Sequence, residues 1–279
     1  MKKIKVLLSL VMTITMLISI SLPVCAAEIE YSDYGGMVMT EGYDPFGIDG
    51  NTRSIIGDDG RIMITDRTAY PYSAISYLDI DYPCGCTNEG TGFMASKNCM
   101  LTAGHYIICP NHGTEASTIT AYFGYQSNSN YWFMAVATSS TAVIYHDPEF
   151  TGSEKNYDYG YVVFNTDVGN TTGWFGLAAR NNSTLNGIWI SVSGYDQSVL
   201  KRSDGTITSV STKRIKYDAD TATTQSGSPV YFNDATYGNM VVAIHTHGTD
   251  LLNWKNSGGR ITSEFINELA DLGHVTKVN

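Results

Sequence analysis

From about residue 54 onward, apolar and polar positions alternate in short runs, each bounded by Gly, Asn, Asp or Ser. Runs at 91–96 with 99–103, 118–125, 131–138, 158–164, 187–195, 206–212 and 239–246 predict β-strands, because period-two alternation sets one face of a pleated strand against a core. One segment departs from the pattern. Ser263 can cap a helix, Phe265, Ile266, Leu269 and Leu272 recur at helical spacing, and Gly273 can end it, which predicts a helix over 263–272. Many short strands followed by one helix imply a pair of barrels or a sandwich with the helix packed outside. No repeat at solenoid or propeller period is present.

The first 53 residues have a different texture. Lys2, Lys3 and Lys5 precede an apolar stretch over 6–22 and a small-residue end at Val24, Cys25, Ala26 and Ala27. That order predicts a secretory signal peptide over 1–27 rather than a spanning helix, with lipid attachment at Cys25 as the alternative. Residues 28–53 are acidic and Gly-rich without a sustained period, and read as a propeptide or linker.

Abundant Gly (27) and Tyr (19) suit short strands with many turns, in keeping with the alternation. A formal charge of -10 argues against nucleic acid or an anionic membrane as partner, and leaves a soluble extracellular monomer as the expectation. Beyond the leader, Cys84, Cys86, Cys99 and Cys109 lie close together in sequence. An oxidising destination predicts one or two local disulfides, with three full pairings open. A bridge from Cys86 to Cys109 is favoured, since it would staple the segment carrying His105. Cys84-x-Cys86 followed by Cys109-x-x-His112 leaves zinc as an alternative, but neither a metal nor a cofactor is expected.

Three segments carry candidate chemistry: Thr102-Ala103-Gly104-His105, Tyr157-Asp158-Tyr159-Gly160 and Gln225-Ser226-Gly227-Ser228-Pro229-Val230. Acyl transfer to a serine hydroxyl needs a base for its proton, a buried carboxylate to orient that base, and N–H groups aimed at the oxyanion. His105, Asp158 and Ser226 fill the first three roles, and the small-residue turn at Ser226 suits the last. The order His, Asp, Ser differs from that of subtilisin-type and α/β-hydrolase enzymes.

These motifs resemble the trypsin-like serine proteases, and more closely their bacterial glutamyl endopeptidase branch, from about Ser54 to Leu272. Arg53-Ser54-Ile55-Ile56-Gly57 is similar to that branch's processing site, and Ala243-Ile244-His245-Thr246 to its pocket-lining strand. The resemblance implies an all-β fold of two Greek-key six-stranded barrels with a C-terminal helix. The first barrel would span 54–168 and carry His105 and Asp158; the second would span 169–279 and carry Ser226. It also implies an oxyanion hole from the N–H groups of Thr224 and Ser226. Protein or peptide substrates would be bound after Glu or Asp by His245, Thr221 and the freed α-amine of Ser54. His247, two residues on, would share a strand face with His245.

Several positions depart from the family pattern. Thr223 and Thr224 replace glycines, and a β-branched residue at φ > 0 is strained, which makes a weak or inactive enzyme the alternative. Tyr106 stands where relatives carry a Cys, and its partner position near Gly90 also lacks one. Gln225 replaces the Asp that pairs with a new N-terminus in animal zymogens. Asp220, six residues before Ser226, raises Arg/Lys preference as a rival specificity.

Overall fold

The computed structural model describes residues 38–43, 60–248 and 255–278. The expected leader with Cys25, most of the expected propeptide and Ser54 lie outside those residues.

Two short strands come first, β1 (Val38–Met39) and β2 (Ile62–Met63). A seven-stranded sheet follows, made of β3 (Ile75–Asp81), β4 (Thr87–Met94), β5 (Cys99–Thr102), β6 (Thr118–Phe123), β7 (Phe133–Thr138), β8 (Ala142–His146) and β9 (Gly160–Phe164). Its spatial order is β7-β6-β3-β4-β5-β9-β8. The second sheet contains β10 (Gly176–Ala179), β11 (Trp189–Asp196), β12 (Val199–Val210), β13 (Arg214–Tyr217), β14 (Pro229–Asp234), β15 (Gly238–His247) and β16 (Asn256–Arg260). Six of these, ordered β15-β14-β11-β12-β13-β16, close into a barrel through pairing of β15 with β16. β10 and β1 extend the sheet beyond β15, and β2 pairs with β12.

The orders β6-β3-β4-β5 and β14-β11-β12-β13 each place a returning fourth strand beside the first of three consecutive ones, which is the Greek key. The second barrel has the expected six strands; the first sheet has seven. β6 keeps a clean alternation of half-buried and buried residues, whereas β5 and β9 are buried throughout and lie side by side inside their sheet. Phe93, Phe123, Tyr161 and Phe175 are among the large side chains filling the core.

The C-terminal helix spans Ser263–Asp271. Its cap is Thr262, not Ser263: the Phe265 N–H donates to Thr262 Oγ1 at 3.2 Å. Phe265, Ile266 and Leu269 are buried as the periodicity predicts, while Leu272 falls past the helix end and is 54% exposed. Among the described residues no helix is long and apolar enough to cross a membrane.

Residues 38–43 fall within the expected propeptide, yet they form an edge of the second sheet. Val38 and Met39 pair with β10, Thr40 is buried, and Tyr43 stacks on Trp174 with ring centroids 4.3 Å apart. The described cysteines are all thiols, so no bridge joins Cys86 to Cys109. Instead Cys84, Cys86 and Cys109 gather with His112, while Cys99 lies in the core on β5.

Candidate active site

Thr102 at the end of β5 pairs with Gly160 at the start of β9. The segments just beyond this pair are therefore neighbours. One is the short helix Gly104–Ile107, which holds His105; the other is the turn Lys155–Tyr157, which delivers Asp158. His105 Nδ1 donates to Asp158 Oδ2 at 2.8 Å, and the His105 backbone N–H donates to Oδ1 at 2.9 Å. Asp158 is 1% exposed. Burial alone would push its carboxyl up, but the adjacent His105, through charge and both hydrogen bonds, holds it below the usual carboxylate range. The carboxylate therefore stays ionised and fixes the imidazole with Nδ1 as donor.

Ser226 follows the tight turn Thr223–Gln225. The buried Gln225 side chain braces that turn, accepting from the Ala222 N–H at 2.8 Å and donating to the Gly194 carbonyl at 3.1 Å. Gly227 has φ +83°, and a Cβ there would fall 1.9 Å from the Thr91 carbonyl oxygen, so only glycine fits. The Thr91 N–H donates to the Ser226 carbonyl at 3.1 Å, tying the first barrel to the turn of the second.

The Ser226 hydroxyl donates toward the carbonyls of Thr223 (3.5 Å) and Thr246 (3.4 Å). A trans peptide points its C=O and N–H in opposite directions. With the Thr223 carbonyl facing Ser226, the Thr224 N–H points away, so the expected oxyanion hole is not assembled in this conformation. The expected backbone strain at Thr224 is absent as well: among the described residues the one non-glycine with positive φ is Gln197. Thr224 Oγ1 instead accepts from the Gln197 N–H at 2.8 Å.

His105, Asp158 and Ser226 line one cleft of about 700 Å³, together with Thr221, Asp220, His245 and His247. His245, on β15, is 1% exposed, and its Nδ1 shares a 2.6 Å hydrogen bond with the Tyr217 hydroxyl. Burial first, then the positive charges of His247, His105 and Arg214, bring its pKa down to about 3. It is thus neutral at physiological pH.

A bulge between His245 and His247 sets His247 opposite Ser257 and re-aims it. Its Nδ1 reaches to 3.7 Å from Asp158 Oδ2, and burial brings its pKa down to about 4 although Asp158 opposes the shift. The Asp220 carboxylate accepts from the Gly60 N–H at 3.0 Å. Ser54 lies outside the described residues.

No protein-family model matches the chain. It is 38% identical over 225 residues to the extracellular metalloprotease of Bacillus subtilis, covering 77% of this chain and 68% of that protein. It is 31% identical over 228 residues to the glutamyl endopeptidase of Bacillus licheniformis, covering 78% of this chain and 69% of that protein. The chain belongs to the glutamyl endopeptidase family. The Staphylococcus aureus glutamyl endopeptidase is 27% identical over 218 residues, covering 70% of this chain and 57% of that protein. Among solved structures, a Glu endopeptidase in complex with MPD superposes with TM-score 0.62 at 24% identity, over 79% of this chain and 99% of that one. The chain is a serine endopeptidase on the chymotrypsin-like fold.

Against other members of the glutamyl endopeptidase family, the pairing of Tyr106 with Gly90 now has a physical reason. A Cβ at position 90 would lie 2.2 Å from the Tyr106 ring, so the ring occupies space that only glycine leaves open. Tyr106 also packs on His105, with centroids 4.5 Å apart, and lines the same cleft as Ser226. Sequence reasoning treated it as a missing cysteine and did not foresee that contact. Tyr217 carried no signal at all, since its partner His245 is 28 residues away. His247 was visible as a second histidine, but the bulge that turns it toward Asp158 was not.

Proposed function

We propose that this glutamyl endopeptidase family member is a secreted endopeptidase that cuts after Glu, and less readily after Asp, once cleavage after Arg53 frees Ser54. His105 Nε2 takes the Ser226 hydroxyl proton as Oγ attacks the scissile carbonyl, and Asp158 stabilises the imidazolium that forms. The proton then passes to the leaving amine, and a water molecule repeats the sequence to release the acyl group. Residues 38–43 can stay on the sheet after the cut, because Val38 and Met39 pair with β10 and the Thr40 and Tyr43 N–H groups donate to the Leu177 and Trp174 carbonyls.

The observation that carries the acidic preference is His245, neutral and fixed by Tyr217 in the wall of the cleft that Thr221 also lines. With the Tyr217 hydroxyl donating to Nδ1, the ring proton sits on Nε2 and can donate to a substrate carboxylate. A hydrogen bond to a charged partner is worth about 1.5–3 kcal/mol. Asp220, the rival Arg/Lys selector, is engaged by Gly60, six positions after Ser54. That contact ties the start of the proposed mature chain to the cleft and weakens Asp220 as a partner for a substrate cation.

Matched peptides ending in Glu, Asp, Arg or Phe test the reading, with protein whose N-terminus is first confirmed as Ser54. Expected is Glu first, Asp second, and little turnover after Arg or Phe. A preference for Arg would overturn the acidic assignment. A serine-directed fluorophosphonate should label the protein and fail to label Ser226→Ala.

The orientation of the Thr223 carbonyl favours a second reading, a slow enzyme resting with its oxyanion hole unformed. Turning that peptide over changes φ of Thr224 by about 180° and carries a β-branched residue to positive φ, at a cost of roughly 1–3 kcal/mol. Thr224→Gly removes the penalty. It should raise kcat about 5- to 150-fold with KM little changed. An unchanged kcat would mean that this peptide does not limit turnover.

A further inference from the structure

We propose that Cys84, Cys86, Cys109 and His112 bind one zinc ion in a closed structural site beside the catalytic histidine. The inference is independent of the substrate reading above. All four ligand atoms lie within 4.8 Å of one another. Cys84 Sγ is 3.6 Å from Cys109 Sγ, and His112 Nδ1 is 3.4 Å from Cys86 Sγ and 3.7 Å from Cys109 Sγ. Zinc bound tetrahedrally by sulfur at ~2.3 Å and nitrogen at ~2.0 Å requires ligand separations of about 3.5–3.8 Å. These three separations fall at that spacing or within about 0.1 Å of it.

A disulfide accounts for the same residues less well. Closing Cys84 on Cys109 would bring the sulfurs from 3.6 Å to about 2.05 Å. It would also use two of the four groups and leave the convergence of Cys86 and His112 on the same point unexplained. A set of three thiolates and one imidazole is the soft, four-coordinate donor set that suits zinc, and it leaves no position for substrate.

The backbone is shaped for the task. Cys84 and Cys86 flank Gly85 at the tip of the β3–β4 hairpin, where the Tyr82 N–H donates to the Cys86 carbonyl at 3.1 Å. Cys109 and His112 lie on a second turn, closed by the Gly113 N–H on the Cys109 carbonyl at 2.8 Å and the Cys109 N–H on the Thr114 carbonyl at 2.8 Å. The Thr114 hydroxyl donates to Cys84 Sγ at 3.5 Å, an outer contact of the kind that orients a metal thiolate. Cys109 comes four residues after His105, and Pro110, Asn88 and Glu89 line the catalytic cleft. The ion would clasp the loop after the His105 helix to the β3–β4 hairpin, on one rim of the active site.

The test uses the full secreted chain, purified without reductant or added metal. Elemental analysis should find about one zinc per chain. Alkylation after denaturation without reductant should modify Cys84, Cys86 and Cys109. Replacing zinc with cobalt should produce thiolate-to-cobalt charge-transfer absorption. His112→Ala should lose the stoichiometric metal, and chelation should lower the melting temperature of the parent protein and not that of the variant. Because the elemental and alkylation results come from the parent protein, misfolding of a variant would not blunt them. Absence of zinc, whether with a Cys84–Cys109 disulfide peptide or with unmodified thiols, would overturn the proposal.

Discussion

Replacing His105 by alanine is expected to lower kcat on Glu-ending peptides by about 10⁶-fold, because the base and its acid counterpart are lost together. The same substitution should make stability depend on pH in a defined direction. In the parent protein the Asp158 carboxyl is held below its ordinary value, so it stabilises the fold above the unfolded-chain pKa, near 4. That contribution is lost as pH falls through the folded value. Without the imidazole, burial dominates and pushes the same carboxyl upward, leaving a buried charge with the His105 backbone N–H and His247 as its remaining partners. The variant should therefore melt well below the parent at pH 7, and the gap should narrow towards pH 4. Thermal melts at the two pH values check this. A gap that widened on acidification would contradict the role assigned to the His105 pair.

Asp158→Asn should reduce kcat by roughly 10⁴-fold with little effect on folding. An asparagine keeps one oxygen to accept from the His105 N–H, so its NH₂ then faces Nδ1. Nδ1 must become an acceptor, which moves the ring proton to Nε2, the atom that has to receive the Ser226 proton. Unchanged melting with a large loss of kcat would separate this tautomer effect from misfolding. A loss below about tenfold would mean that another group orients His105, and His247, at 3.7 Å from the same carboxylate, is one candidate.

Parts of the fold were legible where local pattern and burial agree. The apolar stripe at Phe265, Ile266 and Leu269 marked the C-terminal helix because it faces one core, and the alternation at 118–125 marked β6 for the same reason. β16 was not legible. Its sequence, Asn256-Ser257-Gly258-Gly259-Arg260, has no β-favouring side chain, and the segment is a strand because β13 and β15 pair with it on both sides. β10 and β13 escaped notice for a related reason: each owes its place to its neighbours, β10 pairing with β1 and β15, and β13 with β12 and β16. The strand at 38–43 was hidden by its acidic, Gly-rich surroundings, which suit a linker, although pairing with β10 and stacking on Trp174 give it a place in the sheet.

The sequence by itself determined which residues could do acyl transfer, because a histidine, an aspartate and a serine in small-residue turns are chemically identifiable wherever the chain takes them. Alternation broken by turn residues also determined the all-β class, while the choice of barrels over a sandwich came from the family resemblance and the strand pairing. The tertiary structure decided what those groups face. The pairing of β5 with β9 joins His105 to Asp158, and the bulge in β15 turns His247 toward that carboxylate. The turn before Ser226 presents a carbonyl where an N–H was expected. Two separate turns bring Cys84, Cys86, Cys109 and His112 to metal-binding distances. Each of these depends on the direction of one side chain or one peptide plane, set by contacts distant in sequence, and local composition carries no record of it.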